Sequence, residues 1–152
     1  MEERYKMQED LLYAWMEMSL HIRGNRILSD FSFNEILIYG LLHRRQIAGL
    51  PPMTATELGS YTRLLKSQIN HILTGMEARG LIRRERSEQD KRVIYVHPQE
   101  SALPRYNEEH EKVLKIIDSV FSALGEEDAK TLTVLMRKAT AIVNNHTSKE
   151  AP

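Results

Sequence analysis

Apolar residues recur along the chain at two spacings, and the change from one to the other outlines its architecture. Between Glu9 and Arg26, the residues Leu11, Leu12, Trp15, Met18, Ser19 and Ile22 share one stripe at helical spacing, which predicts an amphipathic helix. Ser32-Phe33-Asn34-Glu35 places a hydroxyl three residues before a glutamate, the pattern by which side chains satisfy free backbone N–H groups at a helix start. The helix it opens is expected to reach about Arg45 and to bury Phe33, Ile36, Leu37, Gly40 and Leu41. Gly49-Leu50-Pro51-Pro52 then breaks the chain.

Thr54-Ala55-Thr56-Glu57 repeats the capping pattern and starts a short helix with Leu58 inward, followed by a turn over Tyr61 to Leu65. A longer helix is expected from Lys66 to Arg79, ending at Gly80, with Ile69, Ile72, Leu73 and Met76 towards the core. Gly75 inside it costs about 1 kcal/mol relative to alanine, which suggests close packing there. The spacing then shortens. Ile82 to Arg86 and Arg92 to His97 read as two strands around the polar turn Ser87 to Lys91, with Pro98 ending the second. Two long helices follow. One carries the stripe Tyr106, Val113, Ile117, Val120, Phe121 and Leu124; the other, after Gly125-Glu126-Glu127-Asp128, carries Leu132, Leu135, Met136, Ala139, Ile142 and Val143. The fold class is therefore mainly α (α+β): a winged helix-turn-helix over residues 32–101, flanked by helices in 1–31 and 102–146, with 147–152 expected to be a disordered tail.

Charge sharpens this outline. The chain is neutral overall, yet residues 61–97 hold 8 basic and 4 acidic side chains, a net +4, while 1–31 and 98–152 are each at −2. A field of this kind acts over roughly 8–10 Å in physiological salt, so a local excess selects partners even on a neutral chain. The absence of cysteine excludes disulfides, thiolate metal sites and cysteine redox sensing. No apolar stretch nears the roughly 18 residues that span a bilayer, and the N-terminus lacks an apolar signal core, so a cytoplasmic protein with no membrane partner is expected.

The exposed face of the 66–79 helix carries Ser67, Asn70, His71 and Thr74, with Gln68 beside them. Small and amide-bearing side chains suit hydrogen bonding to base edges in a major groove, although most surface helices have a polar face. Arg63 and Lys66 flank the start of that helix, where phosphate contacts would orient it. The hairpin adds Arg83, Arg84, Arg86, Lys91 and Arg92, of which Arg84, Arg86, Lys91 and Arg92 are the candidate wing contacts. Asp90 stands two residues before Arg92, close enough to brace a guanidinium that enters a minor groove.

These residues carry a resemblance. Thr54 to Val96, with Glu57-Leu58, Lys66-Ser67, Met76-Glu77-Ala78-Arg79-Gly80-Leu81-Ile82-Arg83-Arg84 and Asp90-Lys91-Arg92, resembles the MarR (multiple antibiotic resistance regulator) family, whose hallmark is an Asp-x-Arg wing after the recognition helix. The match weakens after the wing, where Val96-His97-Pro98-Gln99-Glu100-Ser101 replaces the usual Leu-Thr-Pro-x-Gly. The resemblance implies a homodimer built on residues 1–31 and 102–146, each subunit offering one winged helix to double-stranded DNA with a palindromic operator. The two apolar stripes at the C-terminal end agree, being too apolar to face water. The resemblance further implies a repressor released by a small amphipathic or aromatic ligand, for which Trp15, Met18, Ile22, Tyr39 and His43 are candidate lining residues, although such faces are more often plain core.

Other classes stay open. The six histidines form no His-Glu-x-x-His, and there is no phosphate loop or paired nucleophile and base, so no enzyme and no cofactor are expected. His110, among Glu108, Glu109 and Glu111, is the candidate to hold a metal with His43 or His21, as in a metal-responsive regulator, but Leu114 replaces the second histidine one turn on and no metal site is expected. A winged helix that binds protein is the other alternative, disfavoured by the +4 segment.

Overall fold

The structure, a computed structural model, describes residues 1–24 and 27–149. It divides into two compact units, residues 1–112 and 113–152. In the first, α1 (Glu2–Gly24) starts earlier than the apolar stripe does; its expected end at Arg26 lies outside the described residues. Leu11 and Trp15 on this helix are 71% and 59% exposed in the single chain.

Both capping patterns form. Ser32 Oγ accepts from the Glu35 N–H at 3.2 Å and Glu35 Oε2 accepts from the Ser32 N–H at 2.8 Å, opening α2 (Phe33–Ile47). Thr54 and Glu57 do the same at 3.1 and 2.8 Å for α3 (Ala55–Thr62). The buried face of α2 differs from the expected one: Ile38, Tyr39 and Leu42 are buried with Gly40, whereas Leu37 is exposed and Phe33, Ile36 and Leu41 are only partly covered. The helix is apolar almost all round, so spacing could not choose a face. Packing chose it, because Gly40 admits Tyr106: a Cβ there would lie 2.5 Å from the Tyr106 hydroxyl oxygen. Tyr39 consequently packs 4.8 Å from Tyr106, and its hydroxyl donates to the Gln99 carbonyl at 2.7 Å.

The helix α4 (Lys66–Ala78) buries Ile69, Leu73 and Met76, with Ile72 partly covered. Gly75 does not mark close packing, since an added Cβ would meet nothing within 4 Å. At the end of α4, Gly80 takes φ +71°, and the Gly80 and Leu81 N–H groups donate to Glu77 and Met76, closing the helix as a left-handed cap does.

Three antiparallel strands form the sheet, in the order β1 (Met53–Thr54), β3 (Ile94–Pro98), β2 (Ile82–Arg86). Val96 sits between Met53 and Arg84, and Pro98 pairs with Ile82 at the strand end, where its missing N–H is tolerated. The strand β3 starts at Ile94 rather than Arg92, because Val93 N–H donates to the Asp90 carbonyl and keeps Arg92 and Val93 in the hairpin tip. After the 3-10 turn Glu100–Ala102, α5 (Leu103–Leu124) begins, and its Tyr106 reaches the core.

In the second unit, the rest of α5 and α6 (Glu126–Lys149) meet at Gly125, whose φ of +83° suits glycine. Most of their apolar side chains are open in the single chain: Phe121 is 42%, Leu135 55% and Ile142 58% exposed. The helix continues through 147–149, which the sequence assigns to a tail; residues 150–152 lie outside the described ones. No helix among the described residues is long and apolar enough to cross a membrane.

Candidate nucleic-acid interface

The candidate site is built from the first turns of α4 and the hairpin tip. Ser67, Gln68, Asn70, His71 and Thr74 are all exposed, as is Lys66. Their shared face follows from the opposite one, where Ile69, Leu73 and Met76 are sealed in the core. A cleft of about 520 Å³ joins this face to the wing; Thr56, Ser60, Lys66, Asn70 and Arg92 supply its polar lining and Leu64, Ile69 and Ile94 its apolar lining. The structure thus brings Lys66, Asn70 and Arg92, 26 residues apart at the extremes, to one surface.

The capping of α4 changes the role open to Gln68. Leu65 occupies the N-cap and has no polar side chain, so Gln68 Oε1 accepts the Leu65 N–H at 3.0 Å. Its oxygen is engaged in capping the helix, although the residue is exposed. Just before, Arg63 is in the left-handed region at φ 57°, ψ 21°, where it ends α3. A non-glycine residue there stores strain on the order of 1 kcal/mol.

At the wing tip, Arg92 is 89% exposed in its side chain. Asp90 accepts from the Arg92 N–H at 3.0 Å and from its Nε at 3.2 Å and Nη2 at 3.4 Å. The backbone N–H, then the guanidinium, hold the Asp90 carboxyl below its usual range, so it stays ionised and keeps the arginine directed. Arg86 Nη1 donates to the Lys91 carbonyl at 2.7 Å, tying the two sides of the tip, and Lys91 is exposed. Arg84 does not join this group. Its N–H and Nε donate to the two carboxylate oxygens of Glu77 at 2.8 and 2.9 Å, locking β2 to the end of α4. No local spacing signals that pair, which crosses from helix to strand. Farther along the sheet, Arg83 pairs with Glu85, and burial followed by Arg83 keeps the His97 imidazole below its usual pKa.

The remaining candidates are scattered. Trp15 and Met18 are exposed on α1, Ile22 is partly covered, and Tyr39 is sealed in the core with His43 stacked on it at 6.2 Å. His110 stacks on Tyr106 at 5.3 Å, while the neighbouring Glu109 is buried and bonded to Ser29. Among the described residues, no three His, Asp or Glu side chains are placed to hold a metal.

The sequence model of the MarR family matches residues 45–93, a span that holds α3, α4 and the hairpin down to Val93. Residues 45–93 are thus similar to the MarR family over the helix-turn-helix and wing. A relative from Bacillus subtilis (strain 168), "Uncharacterized HTH-type transcriptional regulator YkoM", is 27% identical over 130 residues, covering 83% of this chain and 79% of that one. The MarR fold extends beyond the matched segment. The structure of a MarR family protein from Bacillus stearothermophilus aligns with a TM-score of 0.69 at 21% identity, covering 95% of this chain and 99% of that one. The transcriptional repressor CouR, bound to a 23-mer DNA duplex, aligns with a TM-score of 0.74 at 18% identity, covering 89% and 95%. MarR-family proteins are transcriptional regulators rather than enzymes.

Proposed function

We propose that this protein is a DNA-binding transcriptional regulator that acts as a cytoplasmic repressor, grips a palindromic operator as a homodimer and is released by a small amphipathic or aromatic ligand. The observation that carries DNA binding is the shared surface of Lys66, Asn70 and Arg92, a helix face and a wing tip presented together. In this reading Ser67, Asn70, His71 and Thr74 meet base edges, with the Gln68 amide NH₂ beside them, while Arg63 and Lys66 hold phosphates. Lys91 and Arg92 enter the adjacent minor groove, Arg86 shapes the tip and Arg84 supports it from behind. CouR, alike in fold, is bound to duplex DNA. The exposed apolar side chains on α1, α5 and α6 support the dimer. Release by a ligand rests on the family, with Trp15, Met18, Ile22 and His43 as lining; Tyr39 would act from behind His43.

A two-fold dimer with one reading helix per subunit requires half-sites about one helical turn, 10–10.5 base pairs, apart. Footprinting on DNA upstream of the protein's own gene should protect two symmetric half-sites at that spacing. A single protected half-site, or none, contradicts the proposal.

A further inference from the structure

Three residues on one face of α5, Arg105, Glu109 and Lys112, follow at i, i+4 and i+7, and all three grip the short segment between α1 and α2. Glu109 is 2% exposed and accepts from the Ser29 N–H at 2.8 Å and the Ser29 hydroxyl at 2.9 Å; Lys112 donates to both Glu109 and Ser29 Oγ. Arg105 holds the two carboxylate oxygens of Asp30 at 2.7 and 2.9 Å. The same guanidinium reaches further, donating from Nη1 to the carbonyl of Arg79 at 3.2 Å, the C-cap of α4. Arg79 answers by donating to the Asp30 carbonyl at 2.7 Å and pairing with Glu35 in the first turn of α2 at 2.6 Å. An end carbonyl of α4, one of those a helix leaves without an internal partner, is thereby bonded to α5.

We infer that Arg105 and Asp30 are positioning residues for DNA recognition: they fix the C-terminal end of α4 to α5 and so set the angle at which the reading face is presented. This rests on the DNA-binding reading above. The clamp lies some 13 residues, about 20 Å of helix, from Lys66, so it acts through the rigid helix and not by touching DNA. A small rotation at the anchored end is carried along the helix to Asn70.

The test has two arms, each run on the full chain. Hydrogen–deuterium exchange without DNA should show the amides of residues 76–82 exchanging faster in Arg105→Ala and in Asp30→Asn, with helical content by circular dichroism unchanged. Fluorescence anisotropy on the footprinted operator should show each variant binding about 2- to 30-fold more weakly, the range expected for residues that couple sites without touching ligand. The double variant should be no weaker than either single one, as for two members of one contact. The salt slope should match wild type, because no phosphate contact is lost. Wild-type exchange at 76–82 in Arg105→Ala overturns the clamp. Wild-type affinity in a variant with faster exchange overturns its role in recognition, and a salt slope lower by about one contact makes Arg105 a DNA ligand instead. If wild type itself binds no DNA, the proposed function falls, while the exchange arm still decides whether the clamp holds α4. Should Arg105→Ala fail to fold, Asp30→Asn keeps side-chain volume and supplies the same readings.

Discussion

Arg63 is held in a backbone conformation that an L-residue resists, at the turn before the reading helix. Strain of this sort at a surface turn, where glycine would be easier, points to a use for the side chain. Arg63→Gly should therefore raise stability by about 0.5–1 kcal/mol in chemical denaturation while weakening DNA binding; a loss of stability, or unchanged affinity, contradicts that role. Two glycines on different helices, Gly75 on α4 and Gly40 on α2, behave oppositely. Gly75 has open space where a Cβ would go, so Gly75→Ala should stabilise by about 0.4–1 kcal/mol. Gly40 has the Tyr106 hydroxyl there, and Gly40→Ala should lower the melting temperature by forcing Tyr106 out of the aromatic core. The same measurement, thermal unfolding of both variants, separates them. A stabilised Gly40→Ala would mean that Tyr106 moves freely, against the packing described.

At the scale of elements, the attachment of α5 to the 29–30 segment makes stability depend on acid. Burial alone would raise the Glu109 carboxyl, but hydrogen bonds from Lys112, Ser29 and the Asp30 N–H outweigh it and hold it at about 2, against an ordinary 4.5. Its contribution is therefore fully present above about pH 4.5 and lost as pH falls towards 2, and Arg105 holds Asp30 below its usual range in the same direction. Urea denaturation of wild type should lose about 2 kcal/mol from this group across that window, and Glu109→Gln should show a flatter profile. Equal slopes for the two proteins would remove Glu109 from the account. The attachment was not legible in the sequence, since Ser29 lies 80 residues from Glu109 and Asp30 lies 75 from Arg105; only the Glu109–Lys112 pair is local. What could be read was local: two capping boxes, the Gly80 helix end, the core face of α4 and the Asp90–Arg92 spacing each lie within a few residues. The buried face of α2 is not legible from spacing, because the apolar run Ile36 to Leu42 goes all the way round the helix. Arg84 shows the limit of a hairpin reading: charge marks a wing, but its bonds to Glu77 cross from strand to helix and leave no local spacing to read.

For the whole molecule, the apolar side chains exposed on α1, α5 and α6 in the single chain are the surface the proposed dimer would cover. Sedimentation should give a dimer at micromolar concentration, and a monomer of intact helical content would refute the assembly. DNA recognition is the central claim, and the wing tests it most directly. Arg92 is exposed and braced, so its loss should leave the fold intact, a solvent-screened ion pair such as that with Asp90 adding little to stability. Anisotropy titrations on operator DNA at several salt concentrations, for wild type, Asp90→Ala and Arg92→Ala, give both affinity and the number of phosphate contacts. Wild-type affinity should fall steeply with salt; Arg92→Ala should bind more weakly with a slope reduced by about one contact, and Asp90→Ala should show a milder loss with the slope kept. Arg92→Ala binding like wild type at every salt concentration would contradict the account.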